Sequence, residues 1–233
     1  MARLPRLAIG GEVHLVLHSG HNRQPVFADD GDRRLFLDSL QEAHVRERVS
    51  IHGYALLPDR VWLLATPFES HGLGRLMQAT GRRYATAFNR RHARSGTLWD
   101  GRFRSTVVAG EATVVDALIF VEQSPVREGL VAWAGDFEWS SARHHAARSI
   151  DALITDPTAY WSLGNTPFER AATYGTLVTE PMADERAKQI SDAVKSGWAL
   201  ASSTEIPALQ RRTSRPLVAR RRGRPPSSGA TSQ

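Results

Sequence analysis

The sequence predicts an α+β fold of ferredoxin-like order, one antiparallel sheet with helices packed on one face. Three observations lead there. Residues 1–148 alternate between short runs of strand character and longer runs of helical periodicity. Their order is βαββαβα. Two of the strand runs are separated only by Pro58-Asp59, which makes them a hairpin and the sheet antiparallel.

The elements follow in chain order. Residues 12–18 alternate, with Val13, Leu15 and Leu17 on one face, as in a half-buried strand. A Gly- and Asn-containing loop over 19–30 leads to an amphipathic helix whose apolar stripe is Phe36, Leu37, Leu40 and Ala43. Residues 49–57 and 60–66 are the hairpin strands, and both are apolar almost throughout, which suits the sheet centre. A long helix over 70–91 buries Leu73, Leu76, Met77, Thr80, Tyr84, Ala87 and Phe88. A strand over 103–109 and a helix over 112–123, ended by Pro125, complete the layer.

After Ala147 the texture changes. Thr166-Pro167-Phe168-Glu169 reads as a capping box with proline at the first helical position. A second helix over 183–197 carries Ala187, Ile190 and Val194 on its apolar side. Three regions are expected: a principal domain at 1–148, a helical extension at 149–206 and a disordered, arginine-rich tail at 207–233, where no acidic residue and no apolar period occurs.

Composition narrows the function. The 233 residues are 41% hydrophobic, enough for one sizeable core and a small appendage. The absence of cysteine excludes a disulfide framework, an iron–sulfur centre and cysteine-ligated zinc. No run approaches the roughly 20 apolar residues of a membrane span, and no apolar leader opens the chain, so a cytoplasmic protein is expected. Lysine and arginine number 30 against 24 acids, a net charge of +6, and Lys188 and Lys195 are the only lysines. Such an excess suits a polyanion, and its clustering favours nucleic acid over a membrane surface.

Two neighbouring segments concentrate that charge. The helix over 70–91 places Arg75, Gln78, Arg82 and Asn89 together, with Arg83, Arg90 and Arg91 beside them. Directly after it, Gly96-Thr97-Leu98-Trp99-Asp100-Gly101-Arg102-Phe103-Arg104 interleaves glycine, aromatic and arginine. Guanidiniums contact phosphates and an exposed aromatic stacks on an unpaired base. A solvated helix face beside a core tryptophan is the plainer reading of the same residues.

These segments, with Asn22-Arg23-Gln24-Pro25-Val26-Phe27, Ile51-His52-Gly53-Tyr54-Ala55-Leu56-Leu57-Pro58, Ser124-Pro125-Val126-Arg127-Glu128-Gly129-Leu130-Val131 and Trp139-Ser140-Ser141, resemble the REP-associated tyrosine transposases, a group of single-tyrosine HUH transposases. The resemblance covers residues 3–145, and the helical extension and Gly-Arg-Pro tail are similar to those of longer members. It implies recognition of single-stranded DNA hairpins of a repeat element. In active members a His-hydrophobic-His motif holds magnesium or manganese on the scissile phosphate. A helix tyrosine attacks the phosphorus, and a polar residue one turn later completes the metal site.

Every one of those positions departs here. Arg60 and Trp62 stand where the two histidines would, Phe120 where the tyrosine would, and Ser124 where asparagine is usual. Arginine stays protonated, tryptophan offers only a donor and phenylalanine has no hydroxyl. The expectation is a retained DNA-binding fold with no metal, no cofactor and no strand cleavage. Arg60 either holds a phosphate while Trp62 stacks on a base, or pairs with a carboxylate such as Glu122 while Trp62 fills space.

The expected DNA contacts are Arg23, Arg75, Arg82, Arg83, Asn89, Arg90, Arg91, Trp99, Arg102 and Arg104, together with Arg222 and Arg224 of an AT-hook-like Arg-Gly-Arg-Pro core in the tail. The partner is DNA in single-stranded hairpin form, in a nucleoid-associated protein. Composition leaves the oligomeric state open. His14 and His18 share a strand face but lie about 13 Å apart, too far to share a metal. His144-His145 has no companion ligand nearby in sequence and reads as a surface loop. No Walker loop, HExxH or nucleophile elbow is present. Three readings compete: a non-cleaving DNA-binding protein of transposase descent, a working transposase with an unusual site, and an inert remnant of a mobile element.

Overall fold

The computed structural model describes residues 6–219. β1 (Val13–Ser19), α1 (Asp30–Glu47), β2 (Val49–Leu57), β3 (Arg60–Pro67), α2 (Gly72–Arg91), β4 (Arg104–Val108) and α3 (Glu111–Glu122) follow in the predicted order. The strands form one sheet in the order β2-β3-β1-β4, and every neighbouring pair is antiparallel. Local chemistry sets the boundaries. The Asp29 carboxylate accepts the Asp32 amide and caps α1, which ends at Arg48 in a left-handed conformation (φ 54°). The hairpin turns so tightly at Pro58-Asp59 that Leu57 faces Arg60.

Alternation along β3 then sorts the core into two layers. Val61, Leu63 and Ala65 face α1 and α2, packing with Phe36, Leu40, Leu76 and Tyr84. Trp62 and Leu64 face the other way, against Leu118, Phe120 and Val121 of α3. The paired helices on one face are therefore as expected, and the second face is covered as well. Strands that are apolar on both sides require a cover on both.

That second cover is completed from the C-terminal side. After α4 (Ser124–Arg127), α5 (Ala142–His145) and α6 (Thr158–Trp161) come α7 (Pro167–Thr179), with its predicted capping box, and α8 (Asp184–Ser196). Tyr174, Val178, Ile190 and Val194 are buried in the same cluster as Leu15, Leu17 and Leu118. Gly53 allows the close approach of α3 to the sheet, since a Cβ there would stand 2.5 Å from Leu118 Cδ1.

Two expectations change. β2 is an edge strand, not a central one; its free edge is covered by the segment after α4, where Leu56 N–H donates to Trp139 O and Ser141 N–H to Tyr54 O. The tail expected from 207 is structured through 219. Leu209 of α9 (Ile206–Gln210) and Leu217 beyond it close a third apolar cluster with Leu7, Ile9, Val107 and Ala109. Two isolated leucines give no periodic signal, and only their distant partners fix them. Among the described residues, no helix is long and apolar enough to cross a membrane.

Candidate nucleic-acid interface

The four positions implied by the resemblance lie on the α3 side of the sheet. Arg60 and Trp62 are two residues apart on β3 and so share that face. The rings of Trp62 and Phe120 meet edge to face at 5.1 Å, and both side chains are buried. Arg60 pairs with Asp59 at 2.7 Å and with Glu128 at 3.1 Å. Its expected partner Glu122 is elsewhere: fully buried, it accepts from Ser141 Oγ (2.5 Å), His145 Nδ1 (2.7 Å) and Tyr174 Oη (2.6 Å). Ser124 Oγ is buried without a partner. This donor set does not fit a divalent ion, because the guanidinium is already shared between two carboxylates and the indole lies in an aromatic contact.

His144 and His145 are likewise not a surface loop. His145 is buried on Glu122, and His144 Nε2 reaches Asp156 Oδ1 at 3.2 Å, a companion that chain folding rather than sequence proximity supplies. His14 behaves as a core histidine, with Nδ1 on Glu12 O at 2.8 Å and Nε2 accepting the Ile9 amide at 3.2 Å.

The arginines of α2 lie on the opposite side of the molecule from Trp62 and Phe120, because α2 covers the other sheet face. They line a groove of about 760 Å³ between α1 and α2, to which no strand contributes. Acidic residues of α1 and the β3–α2 connection neutralise part of it: Arg75 pairs with Glu47 at 2.6 Å, and Arg83 with Glu42. Arg91 is taken by Asp29 (2.6 Å) and by the buried Asp32 (2.5 Å), and so serves the α1 cap. Burial pushes the Asp32 carboxyl up, but His92, the Ala28 amide and Arg91 together outweigh it and hold the group below its ordinary range. Asn89 Nδ2 donates to Gly96 O at 2.9 Å and shapes the following loop. Arg82, Arg90, Arg102 and Arg23 are exposed and make no ion pair among the described residues.

A second groove, about 410 Å³, runs between α2 and the loop before β4, walled by Met77, Ala85, Leu98 and Phe103 and rimmed by Arg82 and Arg102. Trp99 is not the exposed platform expected of it. It is 7% exposed, stacks on His18 at 4.0 Å and donates its indole N–H to Gly81 O at 3.1 Å. The loop folds back over the end of β1, where Asp100 N–H donates to Ser19 O, and so keeps the ring buried. Arg104 is exposed and donates to Lys195 O at 2.9 Å, at the end of α8. Lys195 and Arg215 join this side of the molecule from remote segments, and nothing in their local sequence marked them. Arg222 and Arg224 lie outside the described residues.

Fold and site together define an α+β protein of ferredoxin-like order that carries exposed arginines without ion pairs, among the described residues, on α2 (Arg82, Arg90) and beside β4 (Arg102). No protein-family model and no curated protein matches the chain. Solved structures do. The structure of a REP-associated tyrosine transposase bound to a REP hairpin is similar over 68% of this chain and 96% of that one, at 16% identity and a TM-score of 0.53. A structure from Deinococcus radiodurans R1 with a provisional transposase name aligns over 48% of this chain and 86% of that one, at 20% identity and a TM-score of 0.35. The chain thus has the fold of the first of these, the transposase fold its motifs resemble; the second likeness is too low to add to this.

Proposed function

We propose that this protein binds DNA as a member of the REP-associated tyrosine transposase group, recognises a single-stranded hairpin, and does not cut it. The observation that carries the last clause concerns every tyrosine in the chain. There are four, all buried, and each hydroxyl is committed. Tyr54 donates to Asp151 (2.7 Å), Tyr84 to Val26 O, Tyr160 to His145 O (2.8 Å) and Tyr174 to Glu122 (2.6 Å). Burial pushes these phenols up, Tyr160 to about 12, away from the phenolate needed for attack. Phe120 at the position the resemblance gives to the nucleophile, and Arg60 and Trp62 at those it gives to the metal ligands, support the same reading.

DNA binding itself is supported by the unpaired Arg82, Arg90 and Arg102 and by the fold shared with a protein solved on a hairpin. Such a protein would reside in the cytoplasm on the nucleoid. The test is a labelled hairpin oligonucleotide incubated with the protein and magnesium or manganese. The expected outcome is a retarded complex on a native gel and no covalent adduct or shortened strand on a denaturing one. A protein-linked strand would establish the working-transposase reading, and equal affinity for a scrambled single strand would leave the inert-remnant reading.

A further inference from the structure

We infer that the α2–β4 groove and the C-terminal segment together form a one-nucleotide subsite for single-stranded DNA, with an unstacked base lying in the groove and its phosphate in a cationic notch at the end of α8. The inference deepens the DNA-binding reading and rests on it for the identity of the ligand.

The notch is a small cavity of about 80 Å³ lined by Arg6, Arg102, Arg104, Ser105, Lys195 and Arg215, and among the described residues that line it none is acidic. Arg215 Nε and Nη1 and Ser105 Oγ are buried there with no hydrogen-bond partner, and Ser105 is only 6% exposed. Buried donors are almost always satisfied, so an orphaned guanidinium edge beside an orphaned hydroxyl marks the place of an absent acceptor. Burial draws the Arg215 guanidinium down from its ordinary range, and no carboxylate compensates it. Gly197, at φ +74°, lets α8 end against it; a Cβ there would stand 3.3 Å from Arg215 Nη2.

The carbonyls ending α8 attract cations by themselves. They account for Arg104, which bonds Lys195 O. The Arg215 guanidinium lies 5.6 Å from the Trp198 ring centroid, a contact that leaves its Nε and Nη1 without a hydrogen-bond acceptor, and Arg102 makes no ion pair among the described residues. A tetrahedral dianion or phosphodiester suits the cavity's size and charge. Arg6, Arg102 and Phe103 line both the notch and the adjoining groove, so one nucleotide spans them: phosphate on Arg215 and Arg102, and base in the groove beside Met77, Leu98 and Phe103, whose ring carries the Arg6 guanidinium at 3.7 Å. Apolar walls with a cationic rim are the features that hold unpaired bases without hydrogen-bond readout.

Two measurements on the full chain separate this subsite from DNA binding in general. First, the thermal midpoint is followed as sodium phosphate replaces sodium chloride at constant ionic strength, for the native chain and for Arg215→Gln and Arg102→Gln. Phosphate is expected to raise the midpoint of the native chain and to raise neither variant's. Second, binding of a single-stranded oligonucleotide carrying one 5-iodouracil is measured by anisotropy, and its photocrosslink is mapped. Arg215→Gln and Arg102→Gln are expected to weaken binding about tenfold, with the crosslink on Phe103 or Met77. Arg102 is exposed, so its variant tests the idea even if Arg215→Gln does not fold. Unchanged DNA affinity in both variants overturns the subsite while leaving the DNA-binding reading intact, and a phosphate effect with unchanged DNA affinity means a free-phosphate site and likewise overturns it. If the native chain binds no DNA at all, the reading of function fails with the nucleotide assignment, and the first measurement alone decides whether the notch takes an anion.

Discussion

Single side chains in this protein take their roles from what lies opposite them. Trp99 sits in a run of glycine and arginine that suits a stacking platform, yet His18 occupies the stacking partner's place. The neutral state of that histidine matters in turn. Burial, reinforced by the Arg6 charge and only partly offset by Gly101 O, draws the His18 pKa down to about 4, and burial does the same to His14. Unfolded, each titrates near 6.5, so below that pH the unfolded chain binds protons the folded chain refuses. Stability is full above pH 6.5 and falls as pH drops toward 4, by about 2 kcal/mol per histidine between pH 7 and 5. His18→Phe keeps a flat ring against Trp99 and removes one titration. Urea unfolding at the two pH values should therefore show the variant losing about 2 kcal/mol less than the native chain; an identical loss would place the sensitivity in other groups.

At the scale of one element, α2 shows why an arginine-rich helix is not uniformly a nucleic-acid face. Its buried stripe was legible from spacing, and Leu73, Leu76, Met77, Tyr84 and Phe88 are all in the core. Its exposed arginines divide into those that acidic groups neutralise and those that remain available, a division that depends on Glu42 and Glu47 being across the groove and on Asp29 and Asp32 standing at the start of α1 beside Arg91. Arg82→Gln and Arg90→Gln should each weaken oligonucleotide binding and lower the magnitude of the log–log salt slope by about 0.7. Arg91→Gln should leave that slope nearly unchanged and instead lower stability, through the lost charged hydrogen bonds to Asp29 and Asp32. Fluorescence anisotropy across a salt series, paired with denaturant unfolding, distinguishes the two outcomes. A slope change in Arg91→Gln equal to that in Arg82→Gln would show that the Asp29 and Asp32 pairs open on DNA.

For the whole molecule, the helices after α3 and the segment ending at residue 219 complete the structure begun by βαββαβ. Removing 207–219 along with the rest of the tail exposes Leu7, Ile9, Val107 and Ala109, and deletes the buried Leu209 and Leu217. Truncation after Ile206 should cost about 3 kcal/mol or more, as loss of large buried side chains does. Truncation after Ala219 removes Arg222 and Arg224 and should lower affinity for AT-rich duplex while retaining the Arg215 notch. Calorimetric midpoints and duplex affinities of the two truncations check this; equal midpoints would show that the third cluster carries no weight.

By itself the sequence determined the order of elements, the hairpin at Pro58-Asp59 and the capped start of α7. Each of these is written in neighbouring residues or in a period of two or 3.6, because local backbone preference and one-sided burial act over a few residues. Tertiary structure alone decided that the arginines of α2 and the Trp62–Phe120 contact face opposite ways. It likewise chose Asp59 and Glu128 over Glu122 for Arg60, tied Glu122 to His145 and Tyr174, and brought Arg215 beside Arg102 and Ser105. Those outcomes join side chains far apart in the chain, where burial and charge are settled only by which surfaces the sheet leaves for the following helices to cover.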